Sequence, residues 1–152
     1  MKSKLSVLTL LLLGILFSTA CSKKDSSDID MSKAKTFKLV LTADAAFDES
    51  DPTLSLSISG LDENSIPIKY ASDYSDDYIS LTEKNVKAHK TITIHSVKPV
   101  VTTTISFLCQ AGNITTPSKL NITVYYGDKK VDENTITLST EAFTKVWTYD
   151  TK

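Results

Sequence analysis

The chain has 152 residues, 23% of them charged, and a formal net charge of −1. All 17 basic residues are lysines, and arginine is the usual bidentate partner of phosphate and guanine, so this composition argues against a nucleic-acid partner. The length fits a single domain with a self-sufficient core.

The first twenty residues have the pattern of a secretory signal peptide. A short basic segment is followed by an apolar run at residues 5–17, which is too short for the roughly 20 helical residues that span a bilayer. Ser18, Thr19 and Ala20 supply the small residues that a signal peptidase requires before its cut. The sequence therefore predicts that residues 1–20 are removed.

The segment Ser18-Thr19-Ala20-Cys21 resembles the lipobox of bacterial lipoproteins, although that family most often has Leu where this chain has Ser18. The resemblance implies cleavage before Cys21 and acylation of its sulfur, which would hold the chain on a membrane. Ordinary secretion fits the same small residues. Ser22, in place of the Asp typical of inner-membrane retention, favours the outer membrane. Residues 21–35 read as a flexible polar tether, which also resembles surface-export signals, so the cell surface and the periplasm both stay open.

From residue 36 onward, short strands with alternating apolar and polar residues are separated by polar turns. This pattern predicts an all-β fold, a single antiparallel Ig-like β-sandwich of about seven to nine strands over residues 36–152. Residues 36–42, next to the tether, are a candidate edge strand, and residues 83–90 are the one weak helix candidate. Cys109 is expected to be a buried, inert thiol, since an acylated Cys21 leaves it without a partner, and Trp147 is expected in the core.

Residues 103–149 resemble the end of a bacterial cell-adhesion-related module of the CARDB type. The resemblance is carried by the strands at residues 104–107, 120–126, 135–138 and 146–149, and by the hairpin at Gly127-Asp128. Gly127 precedes Asp128 here, which suits a type II′ turn. The resemblance implies an Ig-like fold and says little about function.

Three tyrosines and three aspartates cluster in one predicted loop, which makes this loop the first candidate for a binding surface. Carboxylates are hard oxygen ligands for Ca²⁺ and tyrosine rings stack on sugars, so either ligand fits, against the plainer interpretation of a solvated loop. The residues of this candidate ligand-binding loop are Tyr70, Asp73, Tyr74, Asp76, Asp77 and Tyr78.

Other titratable residues form weaker candidates. The acidic residues between the first two strands are best explained as a polar connection, with calcium as the alternative; they are Asp44, Asp48, Glu49 and Asp51. His89 and His95 are the only histidines, and neither has a carboxylate or Cys partner nearby in sequence, so no metal site is expected. Nucleophile elbows and phosphate-binding glycine loops are absent, so no cofactor and no enzymatic activity are expected.

The sequence thus favours an outer-membrane lipoprotein that acts as a non-enzymatic binding or adhesion module for a glycan or a protein. Its binding surface would be the Tyr70–Tyr78 loop or a solvent-exposed sheet face. The alternative is a periplasm-facing accessory subunit of an envelope complex, which would contact its partner through a strand edge. Under both hypotheses the membrane is contacted through the lipid on Cys21.

Overall fold

A computed structural model describes residues 33–49, 52–78, 80–110, 116–139 and 141–151. The predicted signal peptide, Cys21 and most of the tether lie outside these ranges, as does Asp51. Within the described ranges the chain forms ten strands and one short α-helix: β1 Phe37–Ala43, β2 Thr53–Leu61, β3 Tyr70–Ser72, β4 Ser75–Tyr78, β5 Ser80–Thr82, α1 Glu83–Ala88, β6 Thr91–Ser96, β7 Thr102–Gln110, β8 Ser118–Tyr126, β9 Lys129–Leu138 and β10 Phe143–Asp150.

The strands form two antiparallel sheets. The six-stranded sheet has the order β4-β3-β6-β1-β8-β9, and the four-stranded sheet has the order β10-β7-β2-β5. Every pairing within these sheets is antiparallel. The predicted all-β antiparallel sandwich is confirmed. Its ten strands exceed the seven to nine expected, and β3, β4 and β5 are the shortest of them.

Alternation along the strands builds the core between the two sheets. In β1 every second residue from Phe37 to Ala43 is buried, and β7 has the same pattern from Thr103 to Cys109. Side chains that point inward from both sheets, among them Leu39 and Phe107, belong to one continuous apolar cluster. Cys109 is 1% exposed, as predicted for a buried thiol, and burial raises the pKa of this group. Trp147 packs against the cluster from β10 and is only partly buried.

The strand next to the tether is not an edge strand. β1 lies inside the six-stranded sheet, where Leu39 pairs with Ile94 of β6 on one side and with Val124 of β8 on the other. The prediction that residues 36–42 form a free edge is therefore wrong. Proximity to the tether carried no information about sheet order, because order is decided by tertiary pairing.

The tyrosine- and aspartate-rich segment is a β-hairpin and not a loop. β3 and β4 pair with each other, and β3 also pairs with β6 through Ala71 and His95. No alternation is visible in the sequence of this segment, because all three residues of β3 are buried and two of them are small. At the other end of the sheet, Gly127 opens the β8–β9 turn with φ +57°, and Asp128 has a negative φ, as expected for a type II′ turn.

The sandwich has two distinct ends. At the proximal end the chain enters the fold, where Lys35 pairs with Val100 and the Gly127 N–H donates to Thr36. At the distal end β1 finishes, where Ala43 N–H donates to the carbonyl of Lys90 (2.8 Å) and Asp44 N–H to that of Lys119 (3.1 Å). Among the described residues, no helix is long and apolar enough to cross a membrane.

Candidate ligand-binding site at the distal end

The distal end is organised by a single 3₁₀ turn, Ala45–Asp48, which follows β1. Phe47 of this turn is fully buried and fastens it to the core. Asp44 caps it, because one carboxylate oxygen accepts the N–H of Phe47 (3.2 Å) and the other accepts the N–H of Lys119 (2.9 Å). Both carboxylate oxygens of Asp44 therefore accept backbone hydrogen bonds, which explains the presence of this acid without a bound metal.

Asp48 and Lys90 form an ion pair that connects the 3₁₀ turn to the segment before β6. Both side chains are about half exposed, so solvent screens the pair and it contributes little to stability. The position of the ion pair is informative, because Lys90 directly follows His89. The pair therefore places the acidic β1–β2 connection close to His89.

The main feature of the distal end is a stacked aromatic pair. The rings of Tyr74 and His89 lie parallel, with an interplanar angle of 5° and centroids 4.7 Å apart. Tyr74 is partly buried against the core, whereas His89 is exposed. Burial is the main reason that the pKa of Tyr74 is raised, and Asp73 adds to the effect. Tyr74 thus supports the imidazole from below, and the outer surface of His89 faces solvent.

Asp73 fixes the turn that carries Tyr74. Its backbone N–H donates to the carbonyl of Thr93 (3.0 Å), and its carboxylate accepts the N–H of the same residue (3.1 Å). Asp73 itself is exposed, so its remaining acceptor capacity points to solvent beside the stacked pair. A rigid turn holding an aromatic platform next to a carboxylate is an arrangement that can bind a polar ligand by stacking and hydrogen bonding.

Among the described side chains of the predicted loop, the structure separates Tyr70 from the others. Tyr70 is only 2% exposed, packs edge-to-face on Phe37 and hydrogen-bonds Thr103 (3.1 Å), so the prediction that it lies on an exposed loop is wrong. Tyr70 begins β3, whereas Tyr74 lies in the turn between β3 and β4. Asp76 is exposed on β4, and the side chains of Asp77 and Tyr78 lie outside what the structure describes.

His89 was missed as a partner of Tyr74. The two residues are fifteen positions apart, and they meet because the β3–β4 hairpin folds back along β6. In the sequence, Tyr74 and His89 each lie next to a predicted strand, and this does not indicate that the two residues are in contact. The second histidine, His95, is exposed on the opposite stretch of β6, as its alternation with Thr91 and Thr93 predicted.

Three or more His, Cys, Asp or Glu side chains do not come together as a possible metal site anywhere in the described part of the chain. In that part, Asp44 is held by the N–H groups of Phe47 and Lys119, and Asp48 is paired with Lys90.

The outward face of the four-stranded sheet is the second surface that the sequence allowed. Its central grid contains seven hydroxyl side chains, two aliphatic ones and neither a charge nor an aromatic ring: Ser55, Leu108 and Thr144 in one row, Ser57, Ser106 and Val146 in the next, and Ser59, Thr104 and Thr148 in the third. This face has hydrogen-bonding groups for a sugar but no ring to stack on it. The distal end has both, and is the better candidate.

No protein-family model matches the chain, and no curated protein matches it. Solved structures do match. A domain of unknown function, DUF4425, from Bacteroides vulgatus aligns with a TM-score of 0.52 at 21% identity, covering 79% of this chain and 97% of that one. A DUF4425 family protein from Bacteroides ovatus gives 0.55 at 14% identity, with 78% and 96% covered.

A protein from Parabacteroides distasonis, whose structure was determined by NMR in its calcium-bound form, gives a TM-score of 0.55 at 11% identity, with 76% and 93% covered. These similarities show a shared fold. The neighbours are not CARDB-type modules, so the resemblance to that group stays a prediction.

Proposed function

We propose that this chain is a non-enzymatic binding module, held on the outer membrane by a lipid on Cys21, that binds a glycan or protein ligand at its distal end. The observation that carries the proposal is the Tyr74–His89 stack, an exposed aromatic platform on a rigid turn beside Asp73. The platform lies at the end opposite Lys35, where the tether joins the fold. A ligand bound there would face away from the anchoring membrane.

The ligand test is a glycan array probed with the mature chain, followed by affinity measurements on variants. His89→Ala should weaken binding of the selected glycan about 3- to 10-fold, the usual worth of one ring contact. His89 is exposed, so the urea midpoint should stay unchanged. Ser57→Ala with Ser106→Ala is the matched control on the sheet face. Loss of binding in that control, with none in His89→Ala, would move the site to the four-stranded sheet.

Tyr74 needs a different expectation from the one its sequence position suggests. As a loop residue it should lose only binding on conversion to alanine, but it is half-buried and supports His89. Tyr74→Ala should therefore lower both affinity and stability. Tyr74→Phe keeps the ring and should preserve both.

The Parabacteroides neighbour is described as calcium-bound, which raises calcium as a second ligand. The proposal for this chain is metal-independent, because the described acids near the platform have N–H or ammonium partners or stand apart. Glycan affinity should be the same in EDTA and in millimolar CaCl₂. A large gain of affinity or thermal stability with CaCl₂ would contradict this and make calcium part of the site.

The periplasmic accessory subunit remains the alternative, with β10 in place of β1 as the contacting edge. β10 is an edge strand with exposed Phe143 and Val146, which a partner strand could cover. Protease treatment of intact cells separates the two hypotheses. Digestion of the domain in intact cells supports display at the surface, whereas protection until lysis supports the periplasmic role.

A further inference from the structure

A group of exposed apolar side chains lies at the proximal end. Ile66 and Val97 are each 56% exposed and Leu61 is 36% exposed. Ile66 and Val97 line one depression of about 260 Å³, with Lys69 and Lys98 beside them. We call Leu61, Ile66 and Val97 the proximal patch. Leu61 ends β2, Ile66 lies in the β2–β3 loop and Val97 lies in the β6–β7 turn, so only the fold brings the two connections together.

The proximal patch is presented on a rigid support. One carboxylate oxygen of Asp62 accepts the N–H groups of Asn64 (2.8 Å) and Ile66 (2.9 Å), which closes the β2–β3 loop on itself. Ser65 adopts the left-handed conformation, φ +60°, to complete this turn. The loop is then joined to the β6–β7 turn, because Val97 N–H donates to the carbonyl of Lys69 (3.0 Å). Ile66 is therefore held outward by specific hydrogen bonds.

The tether reaches the fold at the same place. Ala34 lines the depression next to the patch together with Asp62, Lys98 and Pro99, and Lys35 pairs with Val100. Twelve peptide units separate Cys21 from Lys33, so even a fully extended tether spans at most about 43 Å. A membrane that holds Cys21 is never far from the patch. The tether gives the lipid surface an effective concentration in the millimolar range at the patch, so even a weak contact between the two is populated.

Lysines border the patch. Lys69 and Lys98 line its depression against one acid, Asp62, although the whole chain has a net charge of −1, and Glu63 lines the neighbouring depression. Lysines near a membrane surface add to the attraction of apolar side chains that enter the headgroup region. Three apolar side chains are too few for a stable interface with a second copy, which buries about 800 Å² on each partner.

We infer that the proximal patch docks on the lipid surface to which Cys21 is attached, and so orients the domain with the Tyr74–His89 platform outward. The inference rests on the membrane anchoring in the proposed function. The contact is a lipid surface recognised by two β-branched side chains and a leucine, with the ammonium groups of Lys69 and Lys98 beside them. Docking replaces free rotation about the tether by a preferred orientation.

The test uses the mature chain, residues 21–152, coupled through the Cys21 thiol to a maleimide phospholipid in vesicles of phosphatidylethanolamine and phosphatidylglycerol. Hydrogen–deuterium exchange is compared with that of the same chain free in solution. Amides of residues 62–66, 68–69 and 97–98 should exchange at least threefold more slowly on vesicles, whereas those of residues 73–76 should not change. The double variant I66S/V97S should lose this protection. The control V146S removes an equally exposed valine on β10 and should keep it.

Equal exchange on and off vesicles at the proximal end would overturn the inference, as would protection that persists in I66S/V97S. Unchanged urea midpoints for the two variants show that they are folded. Chemical coupling makes this result independent of acylation in the cell. Mass spectrometry of Cys21 from the native host tests the anchor separately: an unmodified thiol would overturn the anchoring in the proposed function, while the vesicle result would still decide the property of the patch.

Discussion

Gly60 is required by packing inside β2. A Cβ at this position would collide with the hydroxyl of Tyr70 and lie 2.7 Å from the carbonyl oxygen of Thr102. The backbone carbonyl cannot give way without disturbing the sheet, and moving Tyr70 breaks its hydrogen bond to Thr103. Pairing of Gly60 with Thr103 and of Leu61 with Thr102 continues β2 past this glycine, which in the sequence marks the end of an alternating run.

We therefore expect Gly60→Ala to lower the free energy of unfolding by about 1–3 kcal/mol, the usual cost of overpacking a filled core. Urea denaturation followed by circular dichroism measures the change. The neighbouring Ser59→Ala, at an exposed position, is the control and should change stability by less than about 0.5 kcal/mol. Equal stability of Gly60→Ala and the wild type would mean that Tyr70 can move at no cost.

At the scale of elements, hydrogen bonds between side chains close the seam between β9 of one sheet and β10 of the other. The hydroxyl of Tyr149 donates to Asp132 (2.7 Å), and the amide of Asn134 donates to the same carboxylate oxygen (2.8 Å). The Tyr126 hydroxyl donates to the carbonyl of Tyr149 (2.8 Å). The bond from Tyr149 is the main reason that the pKa of Asp132 is lowered.

A lowered pKa means that the folded state holds the carboxylate in its charged form. Asp132 therefore contributes stability above its ordinary pKa of 3.8, and this contribution is lost as the pH falls through the lower folded-state value. We expect Asp132→Asn to cost about 1 kcal/mol at pH 7 and less near pH 2. Urea midpoints at the two pH values measure this. A cost that is the same at both would show that the charge on Asp132 is irrelevant to the seam.

Elements with one buried face could be predicted from the sequence, whereas the remaining ones could not. β1 and β7 alternate strictly, and their bounds agree closely with the apolar pattern. All three residues of β3 are buried, and the first half of β9 is mostly polar and exposed, so neither strand shows a period of two. Both are held by pairing with β6 and β8, which alternation in a single strand does not report.

The candidate site could be predicted only in part. Asp73 and Tyr74 lie at the turn of the β3–β4 hairpin, within the predicted loop, and Asp73 is exposed whereas Tyr74 is partly buried. Tyr70 and Tyr74 have similar polar neighbours in the sequence, which therefore does not show which tyrosine is buried. Tyr70 is buried because β3 pairs with β6. The His89 contact depends on the same pairing and has no counterpart in local sequence.

For the molecule as a whole, Cys109 can report global unfolding. It lies between the sheets on β7, pairs with Leu54 and Phe143, and is 1% exposed. Burial raises its pKa, so the reactive thiolate is suppressed as well as hidden. In a Cys21→Ser variant, a thiol reagent such as DTNB should react only as fast as the protein unfolds. Rapid labelling in the absence of urea would indicate that β10 opens locally.

The central position of β1 has a mechanical consequence. If a ligand is held at the distal end and Cys21 is held by a membrane, tension enters the fold through Lys35 and runs along β1. Its neighbours β6 and β8 are antiparallel to it and bonded along most of its length, with their hydrogen bonds perpendicular to the pull. The load is shared by two rows of bonds that must break together, instead of one pair at a time as in a strand peeled from an edge. Tension applied between the distal end and Lys35 would therefore be resisted by both rows of bonds at once.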